Sequence, residues 1–171
     1  MQRLELVHDW LARQFPGRPL SVAPASADAS FRRYFRVTFD DGLTRIVMDA
    51  PPEHEDCRPF VHVAGLLHEA GVHAPEILAE DLERGLLLLT DLGSTTYLDA
   101  LDASNADDLF RDALEALVKW QLASRPDALP PYDEALLRRE LNLFPDWYVA
   151  RHLGSPLTAQ QQEALERIQV L

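Results

Sequence analysis

Lysine is almost missing from this chain. Of its 16 basic residues, 15 are arginine, and the single lysine is Lys119. The basic total is outweighed by 28 acidic residues, for a formal charge of −12. So acidic a surface repels phosphate backbones, which excludes general nucleic-acid binding. The lone Cys57 excludes an internal disulfide. No apolar run approaches the ~20 residues of a spanning helix, so no membrane role is expected. No two histidines stand at the i, i+4 spacing of a helical zinc pair and no second cysteine exists, so no structural metal is expected. The N-terminal "MQRLELVHDW" carries charge where a signal peptide would be apolar, so a cytoplasmic location is expected.

What is present is a 47% apolar chain of 171 residues, enough for one ordinary domain or for a small lobe plus part of a second. Leu4, Val7, Leu11 and Phe15 recur at helical spacing, and Pro16-Gly17 stops that helix. "PLSVAPA" predicts a short strand, followed by a small-residue loop over Ala25 to Ser30 that contains no glycine. Phe35, Val37 and Phe39 alternate with Arg36 and Thr38, the pattern of a half-buried strand. The turn "DDG" leads into a returning strand, "LTRIVMDA". Pro59 stands near the start of a helix with the stripe Phe60, Val63 and Leu67, closed by Gly71. "EILAED" and "LLLLT" predict a second hairpin around Glu83-Arg84-Gly85.

After "TDLGS" the pattern turns wholly helical. Ser104 is expected to cap a helix with Asp107 and Asp108 in its first turn. Its apolar face is Phe110, Ala113, Leu114 and Leu117. A further stripe, Leu137, Leu141, Phe144 and Tyr148, is kinked or restarted at Pro145. Thr158 and Gln161 form a capping-box pattern for a last helix. That helix reaches Leu171 still apolar and without a stop signal, so the domain is expected to continue past it. The order predicts an α+β fold. A small sheet lobe over residues 1–92 feeds, through a hinge, the first part of a helical lobe over residues 93–171.

Four stretches, "SADASFRRYFRV", "RIVMDAPPEHED", "LLLLTDLGSTTYLDAL" and "LRRELNLFPDWYVARHLG", cover most of the chain. With the element order, they resemble the N-terminal half of the aminoglycoside phosphotransferase family, which has a protein-kinase-like fold. Within it they resemble the cell-wall amino-sugar kinases. The resemblance implies an antiparallel-sheet lobe for the nucleotide. It also implies ATP-dependent phosphorylation of the anomeric hydroxyl of N-acetylmuramate or N-acetylglucosamine, in peptidoglycan recycling. ATP and magnesium are the implied cofactors, and a nucleotide and a small sugar the implied partners. The loop Ser26, Ala27, Asp28, Ala29 and Ser30 is expected to let backbone N–H groups approach the phosphates. Arg32, Arg33 and Arg36 bring cations, of which alternation allows at most two on the ligand side. Val47 is expected to wall the base, and Thr90, Asp91, Leu92 and Gly93 to meet the adenine edge. Glu140, Trp147 and Tyr148 are expected to grip the sugar: the acid binds hydroxyls and the aromatic faces cover C–H surfaces.

The chain departs from the family at two places. Kinases carry a lysine on the third strand, paired with a glutamate on the next helix. Here the corresponding place falls near Met48 or Asp49, and Glu69 is only a weak candidate partner. A second-strand arginine or Arg45 is then expected to take over the phosphate contact, with a different geometry. The family's catalytic loop, His-x-Asp-x-x-x-x-Asn, is not found in these 171 residues. It and the metal ligands are expected beyond residue 171. No catalytic residue and no metal ligand is therefore assigned, and the chain alone is expected to be inactive. The alternative is a non-catalytic kinase-like module that binds a nucleotide or a partner.

Overall fold

The computed structural model describes residues 2–27 and 30–169. The chain divides into two compact units, residues 1–124 and 125–171. The first unit begins with α1 (Gln2–Gln14) and then forms β1 (Leu20–Ala27), β2 (Arg33–Phe39) and β3 (Thr44–Asp49). α2 (Arg58–Glu69) leads to β4 (Ile77–Asp81) and β5 (Leu86–Thr90). A one-turn α3 (Tyr97–Ala100) and the longer α4 (Ala106–Ala123) complete the unit. The five strands form one antiparallel sheet in the order β1-β2-β3-β5-β4. This is the expected α+β architecture with a small antiparallel sheet.

Strand alternation gives the sheet two faces, and each builds its own core. Phe35, Val37, Phe39, Val47, Leu86 and Leu88 pack with Val7, Trp10 and Leu11 of α1. Met48, Leu87 and Leu89 pack on the other face with Ala50 and Cys57, against partly buried Phe60 and Val61 of α2. The four-leucine run is buried on both sides because β5 is an inner strand between two helix-covered faces. Pro24 is tolerated because β1 is an edge strand, and the register slips between Pro24 and Ser26.

Two local expectations are corrected. Ser104 does not cap α4, whose N-cap is Asn105. The Asp102 carboxylate accepts the Ser104 hydroxyl at 2.6 Å and its N–H at 2.7 Å, so a local turn takes up the serine. The expected acids Asp107 and Asp108 do stand in the first turn. The small-residue loop is also shorter than expected. Ser26 and Ala27 pair with Tyr34 and Arg33 as part of β1, because β2 offers backbone groups that need partners.

The second unit holds α5 (Glu134–Leu143), a π-helical segment (Phe144–His152) and α6 (Ala159–Gln169). Pro145 has no N–H to give to Leu141, so the α-helical ladder stops there and resumes with the wider spacing. In that segment Leu153 N–H reaches Tyr148 O at 3.0 Å. The Thr158/Gln161 capping box is present: Gln161 Oε1 accepts from Thr158 N–H at 3.0 Å, and Thr158 Oγ1 accepts from Gln161 N–H at 3.4 Å. The stripe Leu137, Leu141, Phe144 and Tyr148 remains exposed.

Candidate functional site

The cleft face of the sheet is the one carrying Tyr34, Arg36 and Ile46. A cleft of about 530 Å³ opens there, within the first unit. Its floor is Tyr34, Ile46 and Leu89, with Phe60 and Pro75 at one side. Its rim is the connector from Thr90 to Thr96, with Ala25 and Ser26 of β1 opposite. The size falls within the range of small-molecule sites, and apolar walls with a polar rim suit a planar base.

The connector is shaped by one acid. Asp91 Oδ1 accepts the N–H of Gly93 at 2.9 Å, which turns the chain around Leu92. Arg36 reaches Asp91 from β2 with Nε on Oδ2 at 2.7 Å and Nη2 on Oδ1 at 3.2 Å. The same Nη2 donates to Gly93 O at 3.0 Å. Thr90 is held from the other side: its N–H donates to Glu76 O at 3.0 Å, and its Oγ1 accepts Glu76 N–H at 2.9 Å. The hydrogen bond from Arg36 holds the Asp91 carboxyl below the usual aspartate value, opposed by burial and helped by Gly93 N–H and the Thr44 hydroxyl. A lowered folded-state value means that this contribution to stability is complete above the unfolded value of about 3.9. It is lost as the pH falls through the folded value. The stability deficit of Asp91→Asn against the unchanged chain is therefore expected to be constant from about pH 5 to 8 and to shrink below about pH 4. Chemical denaturation across that range measures it, and a deficit unchanged in strong acid contradicts it.

The expected site residues are only partly brought together. Ser26, Thr90, Asp91, Leu92 and Gly93 line the cleft. Asp28 and Ala29 lie outside the described residues, and of Ala27 only the backbone pairing is described. Ser30 Oγ accepts the N–H of Arg32 at 3.1 Å and is not on the cleft wall. The Arg32 guanidinium pairs with Glu55 at 3.4 Å and lines a neighbouring cavity of about 400 Å³ beneath α2. That cavity is walled mainly by apolar residues and holds no other expected site residue, so the connector cleft is the better candidate.

Val47 and Arg33 do not line this cleft. Both belong to the α1 face: Val47 is buried against that helix, and Arg33 pairs with Asp49. The β3 residue that walls the cleft is Ile46, one position away, because alternation reverses the face at each step. The same parity explains the missing lysine. Met48 is the β3 side chain turned toward α2, while Asp49 turns the other way and is bound by Arg3 and Arg33. The acid near the lysine position thus presents no charge to the cleft. Arg45 also shares the Val37 face and donates to Thr44 O at 2.7 Å, which leaves Arg36 as the cleft-facing arginine of the two strands. Tyr34, Ile46, Phe60 and Ser94 to Thr96 were missed as site residues. The parity of Arg36 was the signal for the first two.

In the second unit, Glu140 accepts from Arg139 at 3.1 Å. Trp147 carries the Arg151 guanidinium 4.1 Å above its ring, and Tyr148 stacks between Phe144 and His152 at 5.7 and 5.4 Å. Among the described residues, no group of three or more His, Cys, Asp or Glu could hold a metal ion, and no helix is long and apolar enough to cross a membrane.

Comparison with known proteins adds a lineage to this geometry. A family model described as "Phosphotransferase enzyme family" matches residues 21–171. The chain is 60% identical over 150 residues to the N-acetylmuramate/N-acetylglucosamine kinase of Pseudomonas aeruginosa, covering 88% of this chain and 44% of that protein. The protein of the same name from Pseudomonas putida is 54% identical over 151 residues, with coverage of 88% and 44%. That from Neisseria meningitidis serogroup B is 41% identical over 167 residues, with coverage of 95% and 49%. The chain spans less than half the length of these relatives.

Proposed function

This chain belongs to the phosphotransferase enzyme family, and on that premise we propose that it is the nucleotide-binding part of an ATP-dependent cytoplasmic sugar kinase. Its reaction is phosphorylation of the anomeric hydroxyl of N-acetylmuramate or N-acetylglucosamine, in the recycling of peptidoglycan. The relatives' names support the sugar, and the connector cleft supports the nucleotide. The observation that carries the reading is the meeting of Ser26, Tyr34, Ile46, Leu89 and the Thr90–Gly93 connector around one cleft.

In this reading, Ile46 and Leu89 cover the base and the connector backbone meets its edge. Ser26 of β1 faces the phosphates. ATP supplies the phosphoryl group when bound. Magnesium finds no fitting cluster among the described residues, and none of them is assigned to it. Glu140, Trp147 and Tyr148 are proposed as sugar contacts. Tyr148 already has ring neighbours on two sides and Trp147 carries Arg151 on one face, so Trp147 is the better aromatic platform.

One observation favours a second reading, a non-catalytic module that binds a nucleotide or a partner. The β3 residue turned toward α2 is Met48, where protein kinases place a lysine. The kinase reading and the nucleotide-binding form of the second both place a nucleotide in the cleft, so thermal denaturation with ATP tests the part they share. ATP at 100 times its dissociation constant is expected to stabilise the chain by about 2.7 kcal/mol. An unchanged melting temperature in saturating ATP contradicts it. Sugar phosphorylation by the full-length protein separates the two readings.

A further inference from the structure

Arg36 has the address of a phosphate-binding cation, but its hydrogen bonds point elsewhere. It stands on β2 opposite Ile46, which in turn pairs with Leu89 of β5. From there its guanidinium crosses β3 to Asp91 and Gly93, three bonds in all. The Asp91 carboxylate neutralises it, and the Asp91 side chain is only 4% exposed. A charge so compensated offers little attraction to a triphosphate. Its effect on the connector backbone is specific. Gly93 has both its N–H and its C=O engaged by the pair, and Thr90 N–H is held by Glu76. Between Thr90 and Gly93, the main-chain groups of Asp91 and Leu92 are then the ones without a hydrogen bond among the described residues.

We propose that Arg36 is a positioning residue for the nucleobase: through Asp91 it fixes the connector so that the backbone at Asp91 and Leu92 is presented to the base edge. This inference rests on the nucleotide reading of the cleft. A bidentate arginine suits the task, because its planar fork fixes orientation as well as distance. Lysine would keep the charge and lose the fork.

Calorimetric titration of the chain with ATP and, separately, with inorganic tripolyphosphate tests the proposal, because only ATP carries a base. For Arg36→Met, ATP affinity is expected to fall about tenfold, the loss of charge-assisted hydrogen bonds, with tripolyphosphate affinity unchanged. Arg36→Lys is expected to show most of the same loss. Asp91→Asn keeps an oxygen for Gly93 N–H and guards against a folding failure of the arginine variants. It is expected to weaken ATP and spare tripolyphosphate likewise. Equal loss for both ligands makes Arg36 a phosphate contact and overturns the proposal. Unchanged affinity for both makes the pair merely structural and overturns it too. If the unaltered chain binds neither ligand, the nucleotide reading fails and this inference falls with it. If the unaltered chain binds ATP and the variants bind it equally well, only this inference falls.

Discussion

Asp49→Ala is expected to lose about 3 kcal/mol of folding stability, a large part of what a small domain has. The Asp49 carboxylate is fully buried and is the node of three elements and a turn. Arg3 from α1 donates its Nε to Oδ1 at 3.0 Å and bonds again through Nη2. Arg33 from β2 bonds to Oδ2. Arg3 Nη2 also donates to Arg84 O at 2.8 Å, in the turn between β4 and β5. Removing the acid releases α1 from the end of β3 and leaves two guanidiniums facing each other. Their side chains are 25% and 48% exposed, so water relieves part of that cost. Removing Arg33 alone leaves Arg3 on the carboxylate and costs less. Removing both arginines strands a buried charge and costs the most. Urea denaturation of the series measures this, and a loss under about 1 kcal/mol for Asp49→Ala contradicts it.

Gly85→Ala is expected to be at least as damaging, at roughly 3 kcal/mol or more. Gly85 turns the β4–β5 hairpin at φ +69°, in the left-handed region. An added Cβ would lie 1.8 Å from Ala50 O and 2.9 Å from Ala50 C, both backbone atoms that no rotamer change can move. Ala50 N–H donates to Gly85 O at 2.8 Å, so relieving the clash breaks the bond that ties the end of β3 to the hairpin. Gly42→Ala is the control. Its φ is +82°, but nothing lies within 4 Å of the added carbon, and the expected cost is only ~1 kcal/mol. Equal losses for the two variants contradict the close approach at Gly85.

The strands, their hairpin turns and α2 were legible because period and punctuation agree there. Phe35, Val37 and Phe39 alternate, and Asp40-Asp41-Gly42 and Glu83-Arg84-Gly85 stop the runs. The resemblance to the phosphotransferase family was legible in the same stretches. What alternation does not give is which face of a two-sided sheet meets the ligand. Val47 was therefore assigned to the cleft when its neighbour Ile46 belongs there. The partners of Asp49 were hidden for another reason: Arg3 is 46 positions away and joins only through the fold. The Asp91–Arg36 pair spans 55 positions, and it ties an expected phosphate cation to the connector. Ser104 failed as a cap because Asp102, two residues earlier, competes for the same hydroxyl. The capping box Thr96/Asp99 before α3 was present in the sequence as "TTYLD" and was not read.

The most direct measurement is a crystal structure of the chain with ATP bound. The base is expected over Ile46 and Leu89, with its edge against the backbone of Asp91 and Leu92 and its phosphates toward Ser26 of β1. ATP seated instead in the cavity beneath α2, or on the α1 face beside Arg33, would contradict the cleft as the nucleotide site.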